Sequence, residues 1–280
     1  MTPQLSKSSK LNIVVAHALE AKPLITLLGL TRLSPQTTAF PVYANDLGTC
    51  LIVSGMGKLA AASASSYLAG LQHASSNATP AWLNFGIAGH QSAPVGSGYL
   101  AKKITDRASG ISFYPPLLLN GFDYVDVVTV DEPEFNYPDK DCYEMEAFGF
   151  YATASRFVTA ELVQVFKIIS DSPSAPARLI DAARIALLFA GVSSQIVELT
   201  TQLAGMSEEF ATLYSSPPVL DQLAEKYRLS ATHQSQLRRL YQRYQALELG
   251  GEWQILSCRE HTTSQKLIRV LETRLTELSG

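Results

Sequence analysis

Cysteine is scarce and scattered. Cys50, Cys142 and Cys258 stand far apart and odd in number, so neighbouring cysteines build neither a disulfide framework nor a CxxC metal knuckle. No stretch approaches the about 18 apolar residues of a membrane span. The polar start MTPQLSKSSK has no apolar run behind it of the kind a signal peptide needs. A basic excess is missing too: 22 Lys and Arg face 25 Asp and Glu, a net charge of -3 that argues against nucleic acid as a partner. GxGxxG and P-loop patterns are absent, which leaves a dinucleotide or triphosphate unsupported. No histidine or cysteine pair has ligand spacing, so no metal and no cofactor are expected. What remains is a hydrophobic content of 46% against 17% charge, the balance of a globular protein with a real core. A cytoplasmic location is the expectation.

Strands and helices alternate over most of the chain. Residues 1–10 read as a disordered lead-in. Leu11 to Ala16 (LNIVVA) reads as a buried strand, followed by a helix through Pro23. A strand pair spans 40–53, and an Ala/Ser-rich helix follows to about Leu71. Further strands are predicted at 80–85, 99–104, 125–130 and 163–169. Residues 105–122 and 131–141 read as loops, and one long helix with a break at Gly191 is expected over 176–203. The pattern predicts an α/β domain over residues 11–205, with a mixed, mainly parallel central sheet flanked by helices. From about residue 206 to 280 the pattern is helical throughout, an all-helical extension.

Two sets of residues could carry chemistry. Gly55-Met56-Gly57 and Gly86-Ile87-Ala88-Gly89 follow strands, where glycine lets a backbone approach a ligand; each alone is also an ordinary tight turn. Glu20, Glu144, Glu146 and Asp171 form a carboxylate set around strand ends. Such groups can hold ribose hydroxyls, activate water, or act as a general acid when burial raises their pKa. The plain structural alternative puts Glu144 and Glu146 in a helix's first turn and makes Asp171 an N-cap.

VSGMGK at 53–58, NFGIAG at 84–89, EME at 144–146 and ISD at 169–171 occur in the order found in the nucleoside phosphorylase/nucleosidase superfamily. The chain most resembles its methylthioadenosine/S-adenosylhomocysteine nucleosidase branch, over residues 11–203. The resemblance implies that Asp171 protonates the departing purine and that Ser170 positions it. It implies that Glu146 binds the ribose hydroxyls, that Met145 packs on the sugar and that Glu20 activates water. Glu144 then supports the site, and Gly86, Ile87 and Ala88 approach the substrate. Phe113 and Phe135 are candidates for base stacking or for lining the 5′ pocket.

The reaction implied is hydrolysis of the N-glycosidic bond of a purine nucleoside with a methylthioadenosine-like 5′ group, by a homodimer. Phosphorolysis is the alternative. Superfamily phosphorylases bind phosphate with an arginine and a hydroxyl residue where this chain has Asn84 and Ile87. A third reading is a nucleoside-binding protein without catalysis, suggested by the short 98–140 region and by Ile87. Residues 220–244 have the rhythm of a helix–turn–helix, but charges over 206–280 balance, so a helical cap or a partner surface is expected there.

Overall fold

The structure, a computed structural model, describes residues 9–34, 38–73, 79–176, 181–214 and 218–279. The lead-in before Ser9 and residues 177–180 of the expected long helix lie outside them. The chain divides into two compact units, Met1–Thr212 and Leu213–Gly280.

The first unit is built on one ten-stranded sheet with helices on both faces. Its strands are β1 (Leu11–Val15), β2 (Thr31–Arg32), β3 (Val42–Ala44), β4 (Thr49–Val53), β5 (Ala81–His90), β6 (Gly98–Asp106), β7 (Ser112–Phe113), β8 (Tyr124–Thr129), β9 (Cys142–Glu144) and β10 (Val163–Asp171). They run in the order β10-β6-β8-β9-β5-β1-β4-β3-β2, with β7 beside β6. Because β10 also pairs with β5, the first five strands of that order close on themselves.

The sheet is mixed and partly closed, with its longer ladders parallel. β1–β4, β1–β5, β5–β10, β6–β8 and β8–β9 are parallel. β6–β10, β2–β3, β3–β4, β5–β9 and β6–β7 are antiparallel. The short hairpin strands 31–53, the β6–β7 pair and the closure through β9 and β10 supply the antiparallel part.

Alternation along the strands separates two cores. Ile13, Val15, Leu83 and Phe85 face α1 (Ala18–Leu27), α4 (Ala182–Gly191) and α5 (Ser193–Tyr214). Val14, Ile52, Trp82 and Val165 face α2 (Lys58–His73) and α3 (Ala147–Ala154). Strands buried on both faces read as near-continuous apolar runs, which is why LNIVVA was legible as a strand. The break expected at Gly191 falls there: α4 ends at Gly191 and α5 starts at Ser193. α5 then runs past residue 205 to Tyr214, because Met206 and Phe210 pack on the first core. The helical part is therefore divided off later than the sequence pattern suggested.

The second unit is α6 (Pro218–Lys226), α7 (Ala231–Ala246), α8 (Gly250–Cys258) and α9 (Ser264–Ser279). Leu223, Leu237, Leu240, Tyr244, Trp253 and Leu271 form its centre. Ser230 caps α7 by accepting from the His233 N–H, and the Tyr244 hydroxyl donates to the Leu271 carbonyl at 2.8 Å. Among the described residues no single helix is long and apolar enough to cross a membrane.

Candidate active site

The C-terminal ends of β1, β5 and β10, the place where α/β sheets put their ligands, surround a cavity of about 340 Å³. Its wall includes Glu20, Ile87, Ala88, Phe135, Glu144, Met145, Glu146, Ser170 and Asp171. Most of the sequence-predicted site residues are thus brought together.

Each carboxylate reaches the cavity by a different route. His17 caps α1: its Nδ1 accepts from the Leu19 N–H, and its own N–H donates to Glu20 Oε2 at 3.0 Å. This reciprocal capping box turns Glu20 inward, where Oε1 accepts the Ile87 N–H at 3.2 Å. Glu20 is buried. Burial pushes its pKa above the usual carboxylate range, opposed by Lys167 and by the two backbone N–H groups.

Glu144 and Glu146 are not in the first turn of a helix. Glu144 ends β9, and Glu146 is the N-cap of α3 without a side-chain capping bond. Glu144 is fully engaged. Its Oε2 accepts the N–H groups of Glu146 and Ala147 and pairs with Lys167 Nζ at 2.8 Å, while Oε1 accepts the Thr129 hydroxyl at 2.5 Å. Glu146 Oε1 accepts the Gly57 N–H at 2.7 Å. Gly55 and Gly57 both have positive φ, 86° and 95°, so this turn needs its glycines to aim that N–H. Burial, aided by Glu144 and Glu20 and opposed by Lys167, pushes the Glu146 carboxyl up to about 7.

Asp171 depends on an irregularity. β10 pairs Ile169 with Ala88 and Asp171 with Gly89, so Ser170 is an extra residue, a β-bulge. Successive side chains alternate between faces, and the bulge turns Asp171 off the face shared by Lys167 and Ile169 and onto that of Gly89. A Cβ at Gly89 would lie 2.6 Å from Asp171 Oδ2, so only glycine leaves room there. Asp171 Oδ1 accepts the Ser170 hydroxyl, and Oδ2 accepts the Tyr137 hydroxyl. Asp171 is the last residue of β10, not the N-cap of a helix.

Several expectations need correction. Gly86 to Gly89 do not form a tight turn; β5 runs straight through them to His90. Gly86 instead leaves space for Glu20 Oε1 and Lys167 Nζ, which a Cβ would meet at 3.2 and 3.4 Å. Phe113 is outside the cavity wall and packs on Phe148 and Tyr151 of α3. Residues 105–122 are not all loop, since Ser112 and Phe113 pair with β6.

Lys167 and Tyr137 were missed. Lys167 is 1% exposed in the middle of VQVFKIISD, amid carboxylates. Burial works against its charge, but Glu144, Glu146 and Glu20 outweigh it and hold its pKa above the ordinary lysine value. A lone lysine inside an apolar strand was the available signal, because a buried cation needs acidic partners. Tyr137 lies in a loop and left no such signal.

No family model matches this chain, and no curated protein does. Solved structures do. The 5′-methylthioadenosine/S-adenosyl homocysteine nucleosidase of Campylobacter jejuni superposes with a TM-score of 0.53 at 18% identity, over 69% of this chain and 99% of that one. The Neisseria meningitidis 5′-methylthioadenosine/S-adenosylhomocysteine nucleosidase, solved with methylthio-immucillin-A, gives 0.54 at 17% identity, over 69% and 99%. Futalosine hydrolase of Helicobacter pylori gives 0.50 at 14% identity, over 70% and 97%. The fold is therefore the one these nucleosidase and hydrolase structures share, as the resemblance of the four motifs implied.

Proposed function

We propose that this protein hydrolyses the N-glycosidic bond of a purine nucleoside carrying an apolar, methylthioadenosine-like 5′ group. One observation carries the reading: a single cavity in a nucleosidase fold brings Glu20, Glu146 and Asp171 together in three different environments, with Glu144 and Glu134 also in its wall. Glu146, with one oxygen on the Gly57 N–H, accepts the ribose hydroxyls. Glu20, its pKa raised by burial, takes a proton from water. Asp171 delivers a proton to the leaving base. Negative charge around the sugar stabilises the cationic, oxocarbenium-like transition state. Met56, Val130, Phe135 and Ile185 give the wall its apolar part, suited to an apolar 5′ group.

Water fits this site better than phosphate. Lys167 is committed to Glu144, and Lys58 to Asp106 at 2.7 Å and Asp131 at 2.9 Å. Asn84 donates to the Val14 carbonyl between β5 and β1. A phosphate dianion would enter beside Glu20 and Glu146 without a free cation from any of these residues. Chromatography of base released from 5′-methylthioadenosine and adenosine, with and without phosphate, tests the reading. Phosphate-independent release that Asp171→Asn slows at least a hundredfold is expected. Ribose phosphate as product would establish phosphorolysis, and adenine binding with equal release by wild type and Asp171→Asn would establish a binder.

A further inference from the structure

Between β8 and β9 the chain crosses residues 131–141, most of which are exposed. Tyr137 is the exception, at 1% exposure. Its φ of 44° lies in the left-handed region, which non-glycine residues rarely adopt. That conformation carries the ring inward. The ring packs with Val130 and Tyr143 and presses on Gly89, where an added Cβ would come within 2.3 Å of it. The loop is tied down on either side of the tyrosine: ahead of it Asp131 pairs with Lys58 and Glu134 with Arg107 at 2.5 Å, and after it the Lys140 carbonyl lies 3.1 Å from His90 Nε2. At the end of this arrangement the phenol donates to Asp171 Oδ2, while Ser170 donates to Oδ1. Gly89, Ser170 and Asp171 belong to the cavity wall; Tyr137 does not.

We propose that Tyr137 is a positioning residue for Asp171, a fixed donor outside the cavity that holds the carboxyl group in place and meets the negative charge it acquires on giving up its proton. The inference rests on the reading of Asp171 as the acid for the leaving base. In that step the C1′–N bond breaks, its electron pair goes to the base, and the Asp171 proton passes to the base. Water forms the new C1′–O bond and gives its proton to Glu20, and solvent returns a proton to Asp171. Tyr137 exchanges nothing. Burial and the neighbouring Asp171 push its phenol up, so it stays a donor at any working pH. A donor already aimed where charge develops needs no reorganisation during the reaction. Ser170 alone would leave Oδ2 without that donor.

Tyr137→Phe removes the hydroxyl and keeps the ring against Gly89. Turnover of 5′-methylthioadenosine, whose base needs a proton to leave, is compared with that of 4-nitrophenyl riboside, whose nitrophenolate leaves as an anion. The expected result is an about tenfold fall in kcat on the nucleoside with KM within twofold, corresponding to one hydrogen bond to a charged group. The loss on the nitrophenyl riboside should be at least fivefold smaller. Equal losses on both substrates would show a merely structural role and overturn the inference, as would no loss on the nucleoside. If Asp171→Asn is slow on the nucleoside and Tyr137→Phe is not, the inference falls alone. If Asp171→Asn is as fast as wild type, or wild type turns over neither substrate, the reading of Asp171 falls and takes the inference with it.

Discussion

Replacing Lys167 with methionine should destabilise the first unit by about 3–5 kcal/mol near neutral pH, the range for removing one partner of a buried ion pair. The structure makes this a demanding case. The ammonium is 1% exposed, pairs with Glu144 at 2.8 Å, and is the cation common to the shifts of Glu20 and Glu146. Methionine fills similar space, so packing is nearly kept and the charge is lost. Trp82, in the second core, reports on this unit once Trp253 of the helical unit is changed to Phe; urea titration followed by tryptophan fluorescence then measures the loss.

The pH dependence follows from the direction of the shifts. Glu146 is raised from 4.5 to about 7, so over that window the folded state binds more protons than the unfolded one. Stability conferred by neutral Glu146 is complete below about 4.5 and is lost as pH rises to about 7. Lys167 is shifted in the same direction at higher pH: its contribution is complete below 10.5 and lost as pH rises through its higher folded value. At pH 5 Glu146 carries its proton and needs the cation less. The Lys167→Met deficit should there be less than half its value at pH 7.5. Adding Glu144→Gln should recover a good part of it, because removing both partners leaves no orphaned charge. A deficit under about 1 kcal/mol, or a double variant no more stable than Lys167→Met, would refute the argument.

Further outcomes follow from the same geometry. Gly149→Ala would place a Cβ 2.0 Å from the Lys58 carbonyl oxygen, forcing α3 from the start of α2. A loss of about 1–3 kcal/mol is expected by urea titration. Gly89→Ala would overlap both Tyr137 and Asp171, and base release should fall by about a hundredfold or more. Since ribose hydroxyls donate to an ionised Glu146, kcat/KM for a nucleoside should rise with pH and level off above about 7; a profile flat from pH 5 to 8 would exclude Glu146 from that role. In the helical unit, Tyr244→Phe removes a buried donor to the Leu271 carbonyl and should cost about 1 kcal/mol by thermal melting.

Legibility in the sequence tracked how local the cause was. Strands β1, β4 and β10 announce themselves as short apolar runs, because both faces of each are covered. Glu20 was legible as a residue just after a strand, although the reach of its side chain to the Ile87 N–H depends on strand β5, far along the chain. The partial closure of the sheet was not legible, because it is set by long-range pairing of β10 with β5 and by β9, which is only three residues long. Gly86–Gly89 resembled a turn, since glycine is read as flexibility; here it makes room for the side chains of Glu20, Lys167, Tyr137 and Asp171. Phe113 stood as a candidate ligand contact because a loop aromatic has no periodicity, and it serves the packing of α3. Tyr137 could not be found by pattern, because its burial results from one left-handed residue in a loop.

The bulge at Ser170 makes the number of residues between Lys167 and Asp171 a property in its own right. With Ser170 in place the lysine and the aspartate serve opposite sides of one strand. Were Ser170 taken into a regular ladder instead, strict alternation would swing Asp171 to the side of Ile169, among the carboxylates that Lys167 already balances. Residue identity at every position would be untouched. The strand therefore carries information as a count, which a scan of substitutions, preserving length by design, is blind to.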